Sequence, residues 1–170
     1  KCNNCNSGKD HYCEQGIVLT YNSYEYGTKN ITYGGYSKSI VVKENYVIHI
    51  PSEMDLAKAA PLLCAGITTY SPLRHFKINN THKVGIAGLG GLGHMGLKFA
   101  SSFGADVVVF STSDSKKEEA FDMGANHFVN INNSNEVRDH LNSCDYILDT
   151  VSANRDMGKV FSFLKTDGLI

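Results

Sequence analysis

Residues 84–96 read VGIAGLGGLGHMG, which places Gly-x-Gly-x-x-Gly at Gly88, Gly90 and Gly93. Alone, that spacing is a weak signal. Its setting strengthens it. KVGIAG (83–88) precedes it as a short apolar strand candidate. LGHMGLKFASSF (92–103) follows as a helix with Leu92, Gly96, Phe99, Ala100 and Phe103 on one side. In a strand–turn–helix unit of this kind the first glycine permits the tight turn. The second lets the backbone approach a pyrophosphate, and the third allows close helix–sheet contact. Phosphates would sit on the helix N-terminus, where free N–H groups and the macrodipole favour anions.

The same alternation continues outward. DVVVFS (106–111), HFVNI (127–131) and DYILDT (145–150) read as strands, and LI (169–170) as the start of another. SKKEEAFDMG (115–124), SNEVRDHL (134–141) and RDMGKVFSFL (155–164) read as helices between them. This order predicts right-handed crossovers and a parallel sheet with helices on both faces, an α/β fold. Upstream, GIVLTY (16–21), YGGYSKSIVV (33–42) and NYVIHI (45–50) alternate as strands, with YGTKN (26–30) as a turn. Ser52 and Asp55 suggest a capping pair for a short helix. The boundary between the two parts is expected near residue 62. Lys1 and the closing DGLI, read as a turn and an incipient strand, suggest a piece of a longer chain.

An acidic residue about twenty positions after the glycine turn marks NAD sites, where it binds the ribose 2′-hydroxyl. Here the second strand ends in Ser111, Thr112 and Ser113, with Lys116 just beyond. Three hydroxyls and an ammonium suit a 2′-phosphate, which a carboxylate at position 111 would repel, so NADP(H) is favoured. Two features weigh against it. Asp114 lies among these residues, and Ser115 with Glu118 forms a Ser-x-x-Glu capping pattern that the hydroxyls could merely extend.

The 170 residues carry sixteen basic and seventeen acidic side chains, a formal charge of −1. No basic stripe points to nucleic acid. Tyr21, Tyr24, Tyr26, Tyr33 and Tyr36 lack the cations a base-stacking surface needs, and read as strand and loop packing. No apolar run approaches the roughly twenty residues of a membrane span. Five cysteines are too few for a disulfide scaffold. Cys2, Cys5 and Cys13 cluster as a metal site would, with His11 or a cysteine before Lys1 as the fourth ligand. A Cys2–Cys5 redox pair is the alternative, and would leave Cys13 without a role. Cys64, in APLLCAGITTY, reads by default as a small buried hydrophobe, although it lies near the expected domain junction. Cys144 reads as inert.

Several stretches occur together and in one order: CNNCNSGKDHYC (2–13), LTYN (19–22), TYGGYS (32–37), IPSEMDLAKAAPLLCAGITTYSPLRHF (50–76), GLGGLGHMGLKFA (88–100), STSDSKKEEA (111–120) and DTVSA (149–153). Together they resemble the zinc-dependent medium-chain alcohol dehydrogenases, and within them the cinnamyl alcohol dehydrogenase branch. The resemblance runs over almost the whole chain.

It implies a Rossmann-type doubly wound sheet over 63–170 and, over 1–62, the rear of a GroES-like β domain with a zinc lobe. The family's lobe has Cys-x-x-Cys-x-x-Cys-x7-Cys. Cys2, Cys5 and Cys13 match its last three positions, which puts the first before Lys1. Cys64 matches a ligand of the catalytic zinc, so two zinc ions per intact subunit are implied. Thr68, the segment Gly88, Leu89, Gly90, Gly91, Leu92 and Gly93, the group Ser111, Thr112, Ser113 and Lys116, and Thr150 and Gly168 match cofactor-binding positions.

The activity implied is hydride transfer between NADP(H) and a primary alcohol or aldehyde, with zinc as Lewis acid, by a cytoplasmic homodimer. The remaining zinc ligands, among them a His-Glu pair, and the proton relay match positions outside this chain. A zinc-free quinone-type reductase, or a non-catalytic NADP-binding protein on the same fold, are the rivals.

Overall fold

Parallel strand pairing builds the larger of two compact units in the computed structural model, which describes Lys1–Ile170. The units are Lys1–His49 and Ile50–Ile170.

The smaller unit contains helix α1 (Asn3–Asn6), a 3-10 turn at Asp10–Tyr12, and an antiparallel hairpin of β1 (Tyr21–Tyr24) and β2 (Ile31–Tyr33). Its β content is less than the sequence suggests. GIVLTY enters β1 only at Tyr21, Gly34–Tyr36 is a 3-10 turn, and neither 38–42 nor 45–50 forms a strand. Alternation makes a strand only when a ladder partner is present. Here Ile40, Val41, Val47 and Ile48 stay exposed, and Gly34 is the unit's one buried residue.

The larger unit opens with α2 (Leu56–Ala59), a 3-10 turn at Ala60–Leu63, and α3 (Ala65–His75). Asp55 is the N-cap of α2 and accepts from the Ala57 N–H at 2.9 Å, while Ser52 bonds Glu53 instead. The expected Ser52–Asp55 box is therefore absent. α3 was not legible. Pro72 sits inside it and has no N–H to give the Thr68 carbonyl, and Gly66 and three β-branched residues weaken its start. Leu62 packs directly against Gly66. The packing boundary thus falls between His49 and Ile50 rather than near residue 62.

From β3 (Lys83–Ala87) onward the elements follow the expected order: α4 (Gly91–Ser102), β4 (Asp106–Ser111), α5 (Lys117–Asp122), β5 (His127–Asn130), α6 (Ser134–Asp139), β6 (Cys144–Asp149), α7 (Met157–Phe161) and β7 (Leu164–Leu169). All ladders of the five-stranded sheet are parallel, in the order β5-β4-β3-β6-β7. This is a doubly wound sheet, with strand order reversing between β3 and β6.

Val84, Ile86, Val107, Val108 and Val109 are all fully buried, as strands covered on both faces must be. Val107 and Val109 join the core shared with Leu73, Leu97 and Ala100, and Val108 and Phe110 join that of Ile147, Val160 and Phe163. On α4 the buried positions are Gly93, Gly96, Leu97 and Ala100, while Leu92 is exposed, one position off the expected stripe. α7 is shorter than RDMGKVFSFL, and β7 starts at Leu164 with an irregularity facing Cys144–Tyr146. No helix is long and apolar enough to cross a membrane.

Candidate functional site

Gly88 holds φ +84, a conformation that strains any residue with a Cβ, and a Cβ there would lie 2.5 Å from Val151 Cγ2. At Gly93 a Cβ would come within 2.1 Å of the Gly88 carbonyl oxygen, so α4 starts closer to the turn than any larger residue permits. Gly90, the N-cap of α4, has open space around it. Thr150, at the end of β6, braces the turn through Oγ1 bonds to the Ala87 and Gly88 carbonyls at 2.9 and 3.1 Å.

Beside this turn, at the C-terminal ends of β3 and β4, lies a cavity of about 510 Å³. Gly88, Leu89 and Gly90 form one side, and Ser111, Thr112, Ser113 and Lys116 another. Ser111 ends β4, and Thr112 and Ser113 follow it directly. Ser111 Oγ donates to the Ser113 carbonyl at 3.1 Å, and Ser113 Oγ lies 2.8 Å from Ser115 Oγ. Lys116 Nζ donates to the Leu89 carbonyl at 2.7 Å, spanning from the hydroxyl rim to the glycine turn.

Asp114 is tied to Asn130 Nδ2 at 3.1 Å and does not line the cavity. The anticipated Ser115–Glu118 box does not form. Ser113 caps the 3-10 turn Asp114–Lys116, and α5 begins without a side-chain cap.

Gly91, Leu92, Gly93 and Thr150 flank the cavity without lining it. Gly168 is elsewhere. It lies with Asp145, Tyr146 and His82 beside the first residues of β6, at the opposite end of the sheet from Gly88. In a parallel sheet the strand ends that meet a ligand are the C-terminal ones. Gly168 lies in β7 beside Leu169, which pairs with Tyr146 near the start of β6. Gly168 therefore lies apart from the cavity beside Gly88.

Arg155 and Lys159 also line the cavity, and the sequence reading missed both. Arg155 pairs through Nη2 with Asp149 Oδ1 at the end of β6, and its Nε is buried without a hydrogen-bond partner. The available signal was position, since the loop after β6 leaves the sheet at its ligand-binding end.

Cys64 is exposed between the 3-10 turn and α3, and accepts from the Thr68 N–H at 3.0 Å through its carbonyl. It is not the buried hydrophobe expected by default. Thr68 is exposed one turn along, whereas Thr69 is buried and bonded to the Ala65 carbonyl at 2.8 Å. The Phe76 ring, just after α3, lies 5.5 Å from that of Tyr146 near the start of β6. Neither Cys64 nor Thr68 lines the cavity. Cys64 belongs to no group of three or more potential metal ligands.

In the smaller unit Cys2, Cys5 and Cys13 converge, with all three sulfurs within 4.8 Å of one another. Cys2 and Cys5 Sγ are 3.5 Å apart, too far for a disulfide and close to the roughly 3.8 Å that two sulfurs 2.3 Å from a tetrahedral zinc would show. Backbone hydrogen bonds at Cys5 and Glu14 draw the Cys2 thiol down to about 7, and the neighbouring sulfurs Cys2 and Cys13 push Cys5 up to about 11. The His11 ring lies tilted against that of Tyr12, 4.3 Å between centroids, and is outside the cluster. The three thiols fit a zinc site that takes its fourth donor from beyond these residues. Cys144 is fully buried and pushed up to about 11 by that burial, as expected of an inert thiol.

Residues 91–170 match the family described as zinc-binding dehydrogenase. The Escherichia coli aldehyde reductase YahK is 49% identical over 169 residues, 98% of this chain and 48% of that protein. A cinnamyl alcohol dehydrogenase from Sorghum bicolor superposes with a TM-score of 0.91 at 37% identity, over 99% of this chain and 49% of the other. The Helicobacter pylori CAD complexed with NADP(H) superposes at 0.87 and 38% identity, over 99% and 48%. The chain spans about half the length of the curated relatives it matches. On these matches the chain belongs to the zinc-dependent medium-chain alcohol dehydrogenase family, in its cinnamyl alcohol dehydrogenase branch.

Proposed function

We propose that the whole protein is an NADP(H)-dependent, zinc-dependent alcohol dehydrogenase or aldehyde reductase, acting on a small primary alcohol or aldehyde. The observation that carries this reading is the cavity rim. Ser111, Thr112 and Ser113 lie opposite the glycine turn, and Lys116 joins the two. A 2′-phosphate there meets hydroxyl donors and an ammonium. The one carboxylate lining the cavity, Asp156, is turned to the Gly158 N–H at 2.9 Å. The Helicobacter pylori relative's complex with NADP(H) supports the same cofactor.

In this reading the turn Gly88–Gly93 seats the pyrophosphate on the start of α4. The hydroxyl rim fixes the adenosine end, and Thr68 meets the nicotinamide end. Holding both ends orients the reacting carbon, which removes much of the entropic barrier to hydride transfer. Cys64 would be this chain's ligand to a catalytic zinc, which when bound polarises the substrate oxygen as a Lewis acid. Cys2, Cys5 and Cys13 would hold a second, structural zinc in a lobe with almost no core of its own. The assembled enzyme is proposed to be a homodimer.

The test is aldehyde-dependent NADPH oxidation by the intact protein, with aromatic and aliphatic aldehydes, alongside metal analysis of Cys64→Ala. Turnover that disappears with one zinc per subunit supports the reading. NADPH binding with no turnover on any aldehyde, and zinc content unaltered by the substitution, leaves a nucleotide-binding protein without this chemistry.

A further inference from the structure

The glycine turn poses a mechanical problem. Gly88, Gly90 and Gly91 leave its backbone without the restraint of side chains, and ordering such a segment when a ligand binds costs affinity. Two side chains outside the turn hold it. Lys116 Nζ donates to the Leu89 carbonyl at 2.7 Å. His94, in the first turn of α4, places Nδ1 2.6 Å from the Gly90 carbonyl oxygen, which also accepts the His94 backbone N–H at 2.9 Å. A carbonyl can only accept, so the ring donates there. On the far side Nε2 lies 3.0 Å from Glu119 Oε1 on α5, a carboxylate that also only accepts, so both contacts are made together by the doubly protonated ring.

The consequence follows from the planarity of the peptide. C=O and N–H of one trans peptide point in opposite directions. Fixing the Gly90 oxygen toward α4 fixes the Gly91 N–H away from it. That N–H is among the first donors of α4, which have no partner inside the helix.

We propose that His94 is a positioning residue for the phosphate-binding turn, clamping the Gly90 peptide through its ring while Glu119 holds the ring in place. The inference rests on the reading of this turn as a dinucleotide site. It deepens that reading by separating two roles around the turn: Lys116 reports on the 2′-phosphate, His94 on the pyrophosphate. α5 supplies the outer support for the ring, so the element that follows the 2′-phosphate rim also steadies the pyrophosphate turn.

The experiment compares His94→Leu, His94→Gln and Glu119→Ala with wild type in the intact enzyme. Affinities are measured for NADPH, NADH, ADP-ribose, which has the pyrophosphate, and 2′-AMP, which lacks it. For His94→Leu the expected result is a loss of about tenfold for NADPH, NADH and ADP-ribose alike, the size of one or two hydrogen bonds. 2′-AMP binding stays unchanged, and KM for cofactor rises while kcat at saturation holds. His94→Gln, whose amide can still donate to Gly90, recovers most of the loss. Glu119→Ala, at an exposed position, shows the same pattern at smaller size and serves if His94→Leu does not fold.

ADP-ribose affinity unaltered in these variants overturns the proposal. So does an equal loss of 2′-AMP with no recovery in Gln, which marks general damage. A wild-type enzyme that binds none of the four probes overturns the cofactor reading itself, a result distinct from either.

Discussion

Ser111 stands where the second strand of the sheet ends, and its side chain decides the sign of the local charge. Ser111→Asp is expected to reverse the preference for NADPH over NADH, measured as the ratio of the two KM values. Lys116→Met should weaken NADPH by roughly tenfold to a hundredfold, the value of a charge-assisted hydrogen bond, and NADH by less, through loss of the Leu89 contact alone. Asp114 does not spoil this pocket because Asn130 holds its carboxylate outside the cavity. At Gly93 the argument is steric. A methyl group 2.1 Å from the Gly88 carbonyl oxygen must push backbone, not a pliable side chain. Gly93→Ala should therefore cost about 1–3 kcal/mol and weaken every dinucleotide together, read as a lower Tm and a raised Kd.

Among the elements, Asp145 at the start of β6 is a junction. It accepts from the Lys83 N–H of β3 and from Lys165 Nζ of β7, both at 2.7 Å. Partial burial raises its pKa, but the hydrogen bonds from Lys165 and Lys83 outweigh that and leave the carboxyl below its usual value. A depressed folded pKa means the folded state binds the proton less readily than the unfolded one. The contribution is complete above the unfolded value of about 3.9 and is lost as pH falls through the folded pKa. Asp145→Asn should flatten the acid limb of a stability–pH curve below about pH 4 and leave the slope near neutrality unchanged.

The strands of this unit were legible because both their faces are buried, which makes β4 a continuous apolar run. α3 was not, since Pro72 and Gly66 mask a helix that tertiary packing against α4 sustains, through Tyr70 on Phe99 and Phe103. The reverse error befell 38–50, whose alternation finds no partner strand. In the site, the glycine turn and hydroxyl rim could be read because each is contiguous. The Lys116–Leu89 and His94–Glu119 contacts and the places of Arg155 and Gly168 depend on which strand ends meet, which no local pattern records.

At the scale of the whole molecule the chain spans about half of its relatives, so its chemistry is argued for the intact protein. Two zinc ions per subunit are expected there, with one lost in Cys64→Ala. Cys5→Ser should remove the other and destabilise the smaller unit, whose only buried residue is Gly34, while cofactor binding by the larger unit persists. The central claim is that the cavity between the glycine turn and the Ser111–Lys116 rim takes a 2′-phosphorylated dinucleotide. Calorimetric titration of the intact protein with NADPH and with NADH tests it most directly. The account predicts NADPH binding tighter by about tenfold or more, at least one charge-assisted contact; equal affinities, or a preference for NADH, would contradict it.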